Sequence, residues 1–201
     1  MQESQSTSKH RIAAGDILSM PEYEAVRAER RAKVVAEKRD RRLAIGPFAT
    51  LIFESYDTIW YQIHEMLRIE KGGEAQIADE LAAYGPLIPN GRELVATLMF
   101  EINDPARRGR ELAKLAGVEE TIAIEVGGET VMAQPEHDVE RTREDGKTSA
   151  VHFLHFPFTP AAIEKFCAPG AKVVIAVRHP AYGHMTAMPE ATRQLLARDF
   201  D

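Results

Sequence analysis

A chain of 201 residues, 44% of them hydrophobic and 28% charged, is long enough to bury one core and short for two independent ones. Its net charge of −6 argues against a surface built for nucleic acid or anionic lipid. The single cysteine, Cys167, excludes an internal disulfide and a multi-cysteine metal cage and fits a reducing cytoplasm.

The opening MQESQSTSKH is polar and aperiodic, which predicts a disordered tail over residues 1–14 followed by one domain over 15–201. It lacks the apolar stretch of a signal peptide, and no run reaches the roughly 18 to 20 apolar residues of a membrane span, so a cytoplasmic protein is expected. A capping box at Ser19 and Glu22 starts a long helix that runs towards Asp40. Its segment from Arg27 to Arg42 holds eight Lys/Arg against three Asp/Glu, a local charge of +5 that leaves −11 for the rest of the chain. Such a stripe is usually a solvated face with intramolecular pairing; the alternative is a docking surface made by Arg27, Arg30, Arg31 and Lys33.

The stretch RRLAIGPFATLIFES reads as a hairpin turning at Gly46-Pro47. YDTIWYQIHEMLRIEK changes to helical period and puts Tyr56, Ile59, Trp60, Ile63 and Leu67 on one face. Glu70 projects at nearly the same angle, whereas Tyr61, Glu65 and Arg68 lie on the opposite, polar side and His64 on the boundary. EAQIADELAAY is a short amphipathic helix and ELVATLMFEI a buried strand. Asp104 and Pro105 supply the N-cap and first position of the next helix, with Gly117 beyond its end. TIAIEVGGETVMA is a second hairpin around Gly127-Gly128, and QPEHDVERTREDGK an exposed loop or short helix. TSAVHFLHFPF, TPAAIEKFCA, KVVIAV and PEATRQLLARDF then read as strand, helix, strand and helix. Two hairpins with strands separated by helices predict a single α+β domain with a largely antiparallel sheet and helices packed against it.

No nucleotide loop, nucleophile elbow or zinc-protease motif occurs, so candidate chemistry rests on histidines and carboxylates. The two-residue period of SAVHFLHF puts His152 on an apolar face, where it needs a hydrogen-bond partner or a metal, and His155 on the other. In RHPAYGH, Pro180 ends strand pairing and Gly183 permits a tight turn, so that His179 and His184 converge at a strand exit; the plainer reading is a turn whose histidines bond nearby carbonyls. A carboxylate over the apolar stripe, Glu70, is either buried against a cation or metal or frays into water.

The blocks RRLAIGP, TLIFES, YQIHEMLRIEK, PLIPNG, KTSAVHFLHF and HPAYGH resemble domain-of-unknown-function family 3501 over roughly Gly15 to Asp199. The resemblance implies a bacterial redox or oxidative-stress setting, with genes for rubrerythrin-like and iron-sulfur oxidoreductase proteins nearby as sources of a partner. It carries over Glu65, Arg68 and Glu70 in EMLRIE, His152 in SAVHF, and His179, Tyr182 and His184 in HPAYGH. The family's pattern differs at the positions of His64 and His155. No catalytic assignment comes with it.

These readings predict a metal- or small-ligand-binding accessory protein of a redox system. Its metal, iron ahead of zinc, would be held by His152, His179 and His184 with Glu70 or Glu65, and Tyr182 and Arg68 would contact a bound cofactor. A non-haem iron oxidoreductase on the same residues is one alternative, and an interaction module docking onto an oxidoreductase through the basic helix is another.

Overall fold

A computed structural model of the chain describes residues 10–136 and 148–201. The predicted loop over QPEHDVERTREDGK falls largely on 137–147, and most of the predicted tail on 1–9, both outside the described residues. Of residues 10–14, assigned above to the tail, His10 and Ile12 make contacts with the domain, while Arg11, Ala13 and Ala14 are exposed. His10 bonds the Pro89 carbonyl (2.7 Å) and Asp201 (2.8 Å), and Ile12 is buried beside Ile59 and Leu87. One isolated apolar residue carries no periodicity, so its burial left no trace in the pattern.

The described residues form six α-helices and nine strands. In chain order they are α1 (Met20–Asp40), β1 (Arg42–Ile45), β2 (Ala49–Phe53), α2 (Tyr56–Glu70), α3 (Glu74–Tyr84), β3 (Glu93–Phe100) and α4 (Pro105–Leu112). Then follow β4 (Ile122–Val126), β5 (Glu129–Met132), β6 (Gln134–Pro135), β7 (Val151–Pro157), α5 (Pro160–Cys167), β8 (Val173–His179), β9 (Tyr182–Ala187) and α6 (Glu190–Leu196). The strands make two antiparallel sheets, β1-β2-β3-β7-β6 and β5-β4-β8-β9. The α+β class and both hairpins agree with the sequence reading.

The two sheets face each other over one core. Alternation along β2, β3 and β7 turns Leu51, Phe53, Leu94, Leu98, Leu154 and Phe156 inward, where they meet Ile122, Ile124, Val173, Ile175 and Val177 of the second sheet. Each such side chain contributes about 1.5 to 3 kcal/mol on leaving water. The outer face of the five-stranded sheet is covered by the helices instead. Ile59, Trp60, Ile63 and Leu67, the stripe read from sequence, pack there with Tyr23 of α1 and Val95 of β3. Every residue of β2 is consequently buried, because both its faces are covered.

His64 fixes the entry to this helical layer. Its Nε2 accepts from the Leu18 amide (3.0 Å) and its Nδ1 donates to the Trp60 carbonyl (2.7 Å), while its ring stacks on Trp60 at 3.8 Å. The accepted amide fixes the neutral tautomer, and burial pushes the imidazole pKa down. The chain just before α1 is thereby held against α2.

Candidate functional site

The structure divides the predicted site residues among the five-stranded sheet, the four-stranded sheet and helix α2. His152 is fully buried on the inner face of β7, at 6.2 Å from the Phe100 ring. Its Nε2 donates to the Ser149 carbonyl (3.0 Å) with Thr148 Oγ1 at 3.2 Å, and Glu119 Oε2 stands 3.8 Å from its Nδ1. His179 donates from Nε2 to the Ala116 carbonyl (3.2 Å) and accepts the Ala181 amide at Nδ1 (3.2 Å). His184 does not meet it. Strands β8 and β9 form a continuous hairpin through Pro180-Ala181, and the register sets Tyr182 opposite His179 and Val177 opposite His184. Gly183, expected in the turn, is inside β9.

Tyr182 holds the other hairpin shut. Its buried hydroxyl donates to the Ile45 carbonyl (2.6 Å) and accepts the Phe48 and Ala49 amides (3.2 and 3.0 Å), bonding the β1–β2 turn from the opposite sheet. Gly46 sits in that turn at φ +66°, and a Cβ there would lie 2.6 Å from the His184 ring and 2.7 Å from the Tyr182 hydroxyl. The close approach and the backbone both require glycine. Tyr182 therefore holds backbone groups where a cofactor contact was expected.

The three residues of EMLRIE lie on α2, in the layer beyond the sheet. Glu65 accepts from Arg27 Nε (2.7 Å) and Nη2 (2.8 Å) and from the Tyr23 hydroxyl (2.8 Å). The Arg27 guanidinium chiefly, and the tyrosine with it, hold its carboxyl down to about 2. Arg68 bonds Glu24 at 2.6 Å on the rim of a groove of about 670 Å³ between α1, α2 and α3. Glu70 is exposed at the last position of α2 and accepts from Gln76 Nε2 (2.7 Å). Of the two alternatives read from sequence this is the exposed one: the helix ends at Glu70, with Lys71 in the left-handed region, so the side chain is not buried. Among the described residues no group of three or more His, Cys, Asp or Glu side chains is placed to hold a metal ion.

The basic stripe of α1 is largely paired within the chain. Arg27 takes Glu65, Lys33 takes Asp57 at 2.5 Å with Arg30 at 3.7 Å from the same carboxylate, and Arg41 takes Asp199 at 2.7 Å. The polar side of α2 supplies Asp57 and Glu65, and the C-terminal segment supplies Asp199. The pairing is intramolecular, as is usual for such stripes, with Arg27, Arg30 and Lys33 near solvent and Arg41 buried.

His155 joins three strands from the outer face. It lies between Glu93 Oε2 of β3 (3.1 Å) and Glu136 Oε2 next to β6 (2.9 Å), and the Glu93 bond chiefly raises its pKa. A raised folded pKa means that the native state holds the proton over a range where the unfolded chain has released it. The contribution is therefore complete below the unfolded value of about 6.5 and disappears as pH rises through the folded value, at up to ~1.4 kcal/mol per pH unit. Urea midpoints of wild type and His155→Gln between pH 5.5 and 8.5 should converge as pH rises. A constant difference between them would contradict this reading.

A different set of residues forms a pocket. Glu54 follows β2 directly, is 5% exposed, and lines a cavity of about 220 Å³ between the outer face of the sheet and the helices. Thr97 Oγ1 donates to its Oε1 (2.6 Å) and Thr58 Oγ1 to its Oε2 (2.5 Å). Thr97 comes from the middle of β3 and Thr58 from the first turn of α2, which Ser55 caps, so two rigid elements aim the hydroxyls. Ile52, Ile59, Leu87, Met99 and Phe153 make apolar walls, with Gln62 and Tyr84 among the polar lining. Lys38 of α1 stands at the rim, 4.0 Å from Glu54 Oε2 and one-third exposed. An ionisable group oriented by two hydroxyls inside apolar walls is the usual make-up of a small-ligand site.

A family model described as a protein of unknown function, DUF3501, matches residues 11–200. The chain belongs to DUF3501. None of the curated proteins matches it. This DUF3501 chain is also similar to a solved novel protein of unknown function from Burkholderia pseudomallei K96243, at 39% identity, 95% coverage of this chain and 100% of that one, and a TM-score of 0.87.

Sequence reasoning passes over Glu54 although it lies in TLIFES, one of the blocks that carry the likeness to DUF3501. The available signal is a carboxylate placed straight after five strand residues and before a helix cap, a position that a strand exit makes rigid. Thr97 and Lys38 offer none, because their proximity to Glu54 depends on strand pairing and helix docking.

Proposed function

We propose that this protein binds a small organic ligand in the Glu54 pocket, as an accessory protein of the redox or oxidative-stress system that the family resemblance implies. The observation that carries the reading is a buried carboxylate with both oxygens oriented by hydroxyls, in a pocket whose walls are mainly apolar. A carboxylate offers about four acceptor positions and the two threonines use two, so Glu54 can still receive N–H donors from a ligand. The walls supply affinity and the carboxylate supplies orientation. The metal form of the expectation has less behind it, since its proposed donors are spread over both sheets and helix α2, and His152, His179, Glu65 and Glu70 are bonded there to other groups.

The probe is 3-methylbutylamine, with 3-methylbutan-1-ol as its uncharged counterpart. Saturating amine, at 100 times its Kd, should raise stability by ~2.7 kcal/mol, and the alcohol should do far less. Glu54→Gln, which keeps the shape and removes the charge, should abolish the amine's effect on the thermal midpoint. An amine that has no effect, or that acts equally on both proteins, contradicts the proposal.

A further inference from the structure

The charges around this pocket say more about what it takes. We infer that the ligand is a zwitterion, an α-amino acid with an apolar side chain, whose ammonium goes to Glu54 and whose carboxylate goes to Lys38. The inference rests on the ligand-binding reading above and narrows it to a chemical class. Among the described residues the lining contains one anion, Glu54, and one cation, Lys38. At 4.0 Å their contact is longer than a hydrogen bond, so the ammonium's three donors are not committed to the carboxylate.

The two partners differ in mobility, and that difference favours insertion between them. Glu54 is fixed by Thr58 and Thr97, whereas Lys38 reaches in from the rim on a four-carbon stem that is one-third exposed. A ligand carrying only a positive charge takes Glu54 and repels Lys38. One carrying only a negative charge takes Lys38 and is repelled by Glu54. A zwitterion exchanges one ion pair for two and leaves no charge without a partner beside apolar walls, where an unpaired charge is costly. Ile59, Leu87 and Phe153 remain for the side chain. A volume of about 220 Å³ is below the usual range for drug-sized ligands and suits a molecule of amino-acid size.

Calorimetric titration separates the possibilities with L-leucine, 3-methylbutylamine, which is leucine without its carboxylate, and 4-methylpentanoic acid, which is leucine without its amine. Wild type should bind leucine about 10-fold or more tighter than either analogue. Lys38→Met should remove that advantage while leaving the amine no weaker. The residue lies at the rim, and an unchanged thermal midpoint will show that the variant is folded. If the amine binds wild type as tightly as leucine, or if Lys38→Met leaves leucine affinity unchanged, the zwitterion assignment is overturned and the pocket reading stands; an acid that binds as tightly as leucine overturns both. If none of the three binds, both are overturned.

Discussion

Replacing Arg41 with methionine should cost about 3 to 5 kcal/mol of folding stability, the largest loss expected from any single substitution considered for this chain. Arg41 is 4% exposed and holds Asp199, 7% exposed, through two parallel bonds of 2.7 and 2.8 Å. It also donates to the Glu54 carbonyl (3.2 Å) and pairs with Glu37 (3.0 Å), so one guanidinium ties the end of α1 to the C-terminal segment and to the backbone of the pocket. Removing the cation leaves a carboxylate in low dielectric without its partner, and that unpaired charge is the source of the cost. The losses should be sharply non-additive: Arg41→Met with Asp199→Leu, which removes both charges, should be much less destabilised than the single variant. Urea unfolding of the two single variants and the pair measures this. Additive losses would show that the bidentate pair contributes nothing of its own.

Tyr182→Phe is expected to cost about 2 to 4 kcal/mol, because loss of one hydroxyl strands the Phe48 and Ala49 amides and the Ile45 carbonyl together. The ring itself stays packed against Phe48 and His184, at 4.7 and 4.4 Å between centroids, so the loss reports the hydrogen bonds and not a cavity. Thermal unfolding with amide exchange at Phe48 and Ala49 is the direct readout. A tyrosine that only contacted a cofactor would leave the midpoint of Tyr182→Phe unchanged, and unaltered exchange at both amides would contradict the structural role.

Much of the architecture is legible because its signals are local. The stripe Ile59, Trp60, Ile63 and Leu67 repeats at helical period, and Gly46-Pro47 and Gly127-Gly128 mark turns wherever the strands go. Strand β9 escapes a sequence reading because YGHMTA holds a glycine and few β-branched residues, and its place is fixed by pairing with β8. The split into two sheets is equally hidden, since register joins β3 to β7 across a long stretch of chain.

The site is harder to read than the fold. A histidine declares its chemistry in one letter, so His152, His179 and His184 stand out, and the structure gives His152 and His179 backbone partners near in sequence or space. Glu65 reads correctly as polar, but its partner Arg27 lies 38 residues away on another helix. Glu54 looks ordinary because its burial is produced by Thr97, Phe153 and Lys38, which meet it only after the sheet has formed and α1 has docked. Buried polar groups are a tertiary property, and periodicity does not report them.

Ligand binding at Glu54 is tested most directly by titrating uniformly 15N-labelled protein with 3-methylbutylamine and following amide chemical shifts. Binding at Glu54 should perturb the amides of Ile52 to Glu54, Thr97 to Met99 and Val151 to Phe153, which border the pocket from three adjacent strands, and should leave His179 to His184 where they were. Shifts centred on His179 to His184, or no saturable shifts at all, would contradict the assignment of the pocket as the binding site.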